Sequence, residues 1–231
     1  MAPKPQTKFK AARLKTEGDL AAAITALSRQ CQVMRAIHKR TGVPPLREFP
    51  ADFAGLAKIV TGQQVSAASA AAIWGRVDAG IKPFDAKRLL SRTDAELKFF
   101  GLSTGKIKTL RVVADAVAGG TLNFSKLNRA NDDAIRAELT ALHGIGPWTA
   151  DIYLLFALRR ADAFAAGDLA LQLAAQRLFK LSERPAPDEL LRIAERWRPW
   201  RGAAARLLWA EYALARPAKN LETAKKRLPT A

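Results

Sequence analysis

Two features of this chain could do chemistry: the stretch "LHGIGPWTA" at 142–150, and Asp168, which opens "DLALQLAAQRLF" downstream. Gly144 and Gly146 carry no side chains, so a phosphate could approach the backbone N–H groups there, at the positive end of the dipole of a helix that Pro147 begins. The carbonyl oxygens of the same turn could hold a monovalent cation. An ordinary tight turn between two core helices would use the same residues. No strand precedes "GIG", which argues against a dinucleotide-binding loop. Asp168 stands just before a strongly amphipathic stretch. As a helix N-cap it would have a structural role, and most aspartates so placed have no other. The N–H groups and dipole at a helix start also favour an anion. An anionic carboxylate beside a bound nucleotide could stabilise a sugar oxocarbenium ion and orient or deprotonate a water, which is what cleavage of an N-glycosidic bond requires.

The charge of the chain bears on what such a turn would grip. Lys and Arg number 38 against 21 Asp and Glu, for a formal charge of +17 and a sequence pI of about 10.6. A polyanion is the partner this suggests, nucleic acid first, although a solubility feature has the same signature. With 231 residues, 49% of them hydrophobic, the chain is long and apolar enough to fold as one core or two small lobes. One cysteine, Cys31, excludes a disulfide framework, a Cys-rich zinc site and a four-Cys iron–sulfur cluster within the chain. Two histidines, His38 and His143, leave few ways to build a His-based zinc site or a Ser/His/Asp triad. The sequence shows neither a membrane-length apolar run nor the apolar middle of a secretory signal, so a cytoplasmic, nucleoid-associated protein is expected.

The elements that must position these residues read as helices throughout. "LAAAITALSRQCQVMRAIHKR", "IKTLRVVADAV", "DDAIRAELTAL", "LALQLAAQRLF" and "AAARLLWAEYALA" space their apolar residues three or four apart, and no window alternates with period two. The fold class is therefore all-α. "GVPPLREFP", "GIKPF", "AGGTLNF" and "ERPAP" read as connections. Residues 1–16 carry Lys4, Lys8, Lys10, Arg13 and Lys15 ahead of any cluster of acids, and a mobile basic arm is expected there. A helix ending at His143 and Gly144, followed by one beginning at Pro147, makes a helix-hairpin-helix.

"LHGIGPWTADIYLLFAL" followed at this spacing by "GDLALQLAAQRLF" resembles the helix-hairpin-helix, Gly/Pro-rich, aspartate (HhH-GPD) superfamily of DNA glycosylases, and within it the 3-methyladenine DNA glycosylase II branch. "IVTGQQVSAASAAAIW" at 59–74, "GLSTGKIKTLRVVADAV" at 101–117 and "AERWRPWRGAAARLLWA" at 194–210 extend the resemblance over roughly residues 50 to 215. It implies that Asp168 is the catalytic aspartate, that Trp148 and Trp209 line a base pocket, and that the carbonyls of Thr140, Leu142 and Ile145 ligate a monovalent cation (sodium or potassium), with no other cofactor required. It also implies that Gln64 wedges into the duplex where the nucleotide was removed. Either tryptophan could instead be core, and Gln64 a helix cap. Gln63, Gly144, Ile145, Gly146, Thr149 and Lys106 are expected DNA contacts, with Lys108 and Arg201 nearby.

Chemistry agrees with such a pocket. Extruding a nucleotide is easiest for a weakly paired, damaged base. A methylated purine is cationic, gains roughly 0.5 to 2 kcal/mol on a tryptophan face, and leaves readily. The chain departs from the family in places. Trp148 stands where glycosylase/lyase members carry the Schiff-base lysine, so no strand cleavage is expected. Ala165 stands where a proline is frequent, and Ile152 where a relative has a pocket tyrosine, with Tyr153 adjacent as the expected pocket residue. The N-terminal part looks too short for the β-rich domain some members carry. The resemblance implies two helical lobes, residues 52–160 and residues 17–51 plus 161–231, with Asp168 at a cleft between them, acting as a monomer on double-stranded DNA that contains a damaged base. A non-catalytic DNA-binding module, and a glycosylase for hypoxanthine, ethenoadenine or uracil, are the alternatives.

Overall fold

The structure is a computed structural model that describes residues 13–215. Among these the chain is helical: α1 (Glu17–Gln30), α2 (Gln32–Thr41), α3 (Phe53–Thr61), α4 (Ala67–Gly80), α5 (Ala86–Leu90), α6 (Asp94–Phe99), α7 (Thr104–Ala118), α8 (Phe124–Leu127), α9 (Asp132–Thr140), α10 (Pro147–Ile152), α11 (Leu169–Phe179), α12 (Pro187–Ala194) and α13 (Arg201–Leu214). A π-helical turn at Tyr153–Ala157 continues α10, and a 3-10 turn spans Glu195–Trp197. The pairing of strand type among the described residues is an isolated bridge between Arg13 and Arg160. The all-α expectation holds. No helix among the described residues is long and apolar enough to cross a membrane.

Local chemistry sets the helix starts. Asp52, Ser66, Ser103 and Asn131 each accept a backbone N–H three residues on, and Thr93 with Glu96 forms a reciprocal capping box. The long first window divides at Cys31, whose extended backbone separates α1 from α2, and Arg35 Nε donates to the Ser28 carbonyl near the end of α1 at 2.7 Å.

The chain forms two compact units. Among the described residues, one takes Arg13–Thr16 and Leu46–Ala165. Leu56, Ile59 and Val60 of α3, Ile107, Leu110 and Val113 of α7, Ile135 and Leu139 of α9, and Leu154 and Leu155 of the π turn supply its core. The other takes Glu17–Pro45 and Ala166–Ala215. In it α13 packs on α1, α2 and α11, and every residue from Gly202 to Leu208 is buried. Small side chains at Ala203, Ala204 and Ala205 permit that central position.

The unit boundaries differ from those expected. Residues 46–51 and 161–165 belong with 52–160, because Phe49 N–H donates to the Phe156 carbonyl at 3.1 Å, their rings lie 5.5 Å apart, and Ala161, Ala163 and Phe164 are buried. The expected basic arm falls mostly on residues 1–12, outside the described residues. Its end at Arg13–Thr16 is held: Leu14 is buried and its N–H donates to Arg159 O at 2.8 Å.

Candidate active site

The hairpin lies in the first unit. Helix α9 ends at Thr140, earlier than the expected His143–Gly144, because Leu142 N–H bonds Leu139 O at 3.1 Å and tightens the last turn. Ile145 N–H then donates to Leu142 O at 3.0 Å, and Gly146 caps α10 with Pro147 at its first position. Gly144 has φ +83, and a Cβ there would stand 1.8 Å from Thr109 Oγ1 on α7. Only glycine fits. At Gly146 a Cβ would meet nothing within 4 Å, so that side of the turn is open to a ligand. Ile145 is buried and anchors the turn by its side chain, leaving backbone as what it could offer DNA. Across the two helices Arg136 Nε meets Asp151 Oδ1 at 2.8 Å. Burial opposes the Arg136 charge, but the bond and charge of Asp151, with Asp132 and Asp133, hold it above its ordinary pKa.

Next to the hairpin is the loop between α3 and α4. Gln64 is exposed in a left-handed backbone, φ +54, unusual for a residue with a Cβ. Gln63 turns the other way. Its Nε2 donates to Gly144 O at 3.1 Å and to Thr149 Oγ1 at 2.9 Å, which uses both amide hydrogens. Gln63 and the buried Thr149, both expected at the DNA, are joined to each other within the protein. Lys106 Nζ donates to Thr61 O at 2.8 Å and caps α3, and burial lowers its pKa. The expected pocket residue Tyr153 is corrected: it is fully buried, its hydroxyl donates to Asn128 Oδ1 at 2.9 Å, and burial raises its pKa. Trp148, at the second position of α10, is half-buried.

The second unit carries Asp168. It caps α11, and its Oδ1 accepts from Ala170 N at 3.0 Å, Leu171 N at 3.1 Å and Trp209 Nε1 at 3.0 Å. The chain leading to it is fixed by Gln172 Nε2, which donates to Ala166 O at 3.1 Å, and by buried Ala165. Trp209, on α13, is half-buried and so supplies a polar atom to the carboxylate as well as an aromatic surface. Buried Glu211 sits between Arg177 of α11 at 2.8 Å and Arg40 of α2 at 2.9 Å, tying the helices that bear Asp168 and Trp209. The arrangement can present a fixed anion to a developing cation. Arg201, expected at the DNA, pairs with Glu195 at 3.0 Å instead. Spacing alone gave no signal for the Gln63 brace or the Trp209 bond, since each joins residues remote in the chain.

Comparison with known proteins places these features in a group. The family described as HhH-GPD superfamily base excision DNA repair protein matches residues 57–199. The chain is 38% identical over 103 residues to a protein of Bacillus subtilis named putative DNA-3-methyladenine glycosylase YfjP, covering 45% of this chain and 34% of that protein. It is 30% identical over 164 residues to the DNA-3-methyladenine glycosylase 1 of Schizosaccharomyces pombe, covering 69% of this chain and 72% of that protein. The match spans only about a third of YfjP, and 41% of a second Bacillus subtilis relative. Among solved structures, the Schizosaccharomyces pombe 3-methyladenine DNA glycosylase Mag1 in complex with abasic DNA superposes with a TM-score of 0.76 at 27% identity, covering 84% of this chain and 98% of that one.

Proposed function

Because the chain belongs to the HhH-GPD superfamily of base excision DNA repair proteins, we propose that it is a monofunctional DNA glycosylase that hydrolyses the N-glycosidic bond of alkylated purines such as 3-methyladenine and 7-methylguanine. The observation that carries this reading is Asp168, its Oδ1 fixed by two backbone N–H groups and the Trp209 indole. The extruded nucleotide loses its base when the bond from C1′ to the base nitrogen breaks and the electron pair leaves with the cationic base, which departs neutral. The Asp168 anion stabilises the oxocarbenium ion left on the sugar. Water adds to C1′, its proton passes to Asp168 or solvent, and an abasic site remains. Donors already in place cost no reorganisation as charge develops.

Duplex DNA is the partner, gripped through its backbone by N–H groups at the hairpin, and the protein acts as a monomer. Thr140, Leu142 and Ile145 would hold a monovalent cation through their carbonyls. Neutral backbone oxygens in one turn suit such a hard ion, and Leu142 O keeps a lone pair beside its bond from Ile145 N–H. When bound, the ion would add positive charge beside a phosphate. Between Lys126 and Lys180 the sequence holds no lysine, so neither the hairpin nor the stretch to Asp168 supplies an amine for a Schiff base. The test is chromatography of bases freed from methylated duplex DNA, with strand breaks read before and after alkali. Free methylated purines with breaks only after alkali are expected. Breaks before alkali, or a borohydride-trapped adduct, would overturn the monofunctional reading, and release of no base would overturn the glycosylase.

A further inference from the structure

The loop between α3 and α4 is tied to the end of α3 by Gly62 N–H, which donates to Ile59 O at 3.0 Å, and Gln63 N–H, which donates to Val60 O at 3.1 Å; beyond Gln63 its own neighbours offer little. Val65, Ser66, Ala67 and Ala68 are exposed, and Val77, far along α4, is the fully buried residue of that helix. Yet Gln64 keeps a left-handed backbone, which a residue with a Cβ holds where its surroundings fix it. Two contacts do the fixing from the other side. Lys106 Nζ takes the Thr61 carbonyl at 2.8 Å, at the root of the loop. Gln63 Nε2 takes Gly144 O at 3.1 Å and Thr149 Oγ1 at 2.9 Å, at its middle. Lys106 and Thr109 lie one turn apart on α7, and Thr109 is the residue against which Gly144 packs. One face of α7 thus seats both the loop and the hairpin turn, and Gln63 cross-links the two. All of these residues belong to one compact unit.

We propose that Gln63 is a positioning residue for base extrusion: by bracing the loop to the hairpin, it makes the hairpin's hold on the phosphate backbone set the depth at which Gln64 enters the duplex. The inference rests on the glycosylase reading above, with Gln64 taken as the residue that fills the gap left by the extruded nucleotide, and assigns Gln63 no contact with the reacting atoms. Without the brace, Gln64 can still enter, but its loop is no longer referenced to the bound backbone. The loss then falls on extrusion, and it is transmitted through Gln64 alone.

The test is a double-mutant cycle on methylated duplex DNA at saturating protein, with wild type, Gln63→Met, Gln64→Ala and the double variant. Methionine is close to glutamine in length and donates no hydrogen bond. Removing two neutral hydrogen bonds lowers the rate of base release by about tenfold in Gln63→Met, and the double variant is no slower than Gln64→Ala. A duplex with 2-aminopurine opposite an abasic site reads filling of the gap without any base release, and its fluorescence response to wild type should be weakened in Gln63→Met. Rates that multiply across the cycle, or a Gln63→Met protein as fast as wild type, overturn the proposal. So does an equal loss of thermal stability and of release in which the 2-aminopurine response is unchanged. A wild-type protein that frees no base but gives the fluorescence response overturns the glycosylase reading and leaves the brace standing.

Discussion

Replacing Trp209 with Phe separates two things that one side chain does. Phenylalanine keeps an aromatic face but loses the Nε1–H that donates to Asp168 Oδ1 at 3.0 Å, while the bonds from Ala170 N and Leu171 N remain. A hydrogen bond to a charged group contributes about 1.5 to 3 kcal/mol. At about 1.4 kcal/mol per tenfold, loss of its full value from the transition state would slow base release about 10- to 150-fold. Two donors remain to orient the carboxylate, so the expected loss is near the lower figure, about tenfold. Trp209→Leu also removes the aromatic surface and should lose a further factor of about 2 to 30 on a cationic base. The assay is single-turnover release of 7-methylguanine from duplex DNA at saturating protein, with thermal melts of all three proteins. Wild-type rates in Trp209→Phe would refute the argument that the indole N–H fixes Asp168. Equal losses in the Phe and Leu variants would instead leave the N–H as the whole contribution of this side chain.

Other consequences follow from single contacts. Gly144→Ala would force a methyl to 1.8 Å from Thr109 Oγ1 at φ +83; adding about 1 to 2 kcal/mol for the left-handed backbone to about 1 to 3 for overpacking, chemical denaturation should show a loss of about 2 to 5 kcal/mol. Unchanged stability would contradict that packing. Tyr153→Phe removes a buried bond to Asn128 and should cost about 1 to 2 kcal/mol by denaturation while base release stays at the wild-type rate; a change in lesion preference would return Tyr153 to the pocket. Lys106→Met should lower the slope of log affinity for DNA against log salt by well under one, since the ammonium is held at Thr61 O. A slope reduced by about one would put that charge on a phosphate.

What could be read from the sequence was set by local rules. Apolar spacing gave the helices, Pro147 and Gly144 gave the hairpin, and the position of Asp168 ahead of an amphipathic run gave the N-cap that its Oδ1 forms with Ala170 N and Leu171 N. Local rules fail where a polar atom finds its partner across the fold. Nothing in the spacing distinguishes a Trp209 that stacks from one that also donates to Asp168, or a Gln63 that faces DNA from one that turns its amide to Gly144 and Thr149. The burial of Tyr153 is hidden for a related reason: a helix after "GPWTA" fixes neither its π geometry nor the side it buries, and Asn128, far back in the chain, takes its hydroxyl. The unit boundary near 46–51 is not legible in the sequence, because Phe49 has no helical pattern to report and is assigned by its contact with Phe156.

The central claim is that the Asp168 carboxylate does the chemistry and is not only a cap. Asparagine retains an oxygen that can accept the N–H bonds of Ala170 and Leu171 but carries no charge. Base release from methylated duplex DNA and binding to an abasic duplex should therefore be measured side by side for wild type and Asp168→Asn. The account predicts that release falls to background in the variant while binding is retained or strengthened, because a negative charge near the phosphates has been removed. Release at the wild-type rate from Asp168→Asn would contradict it.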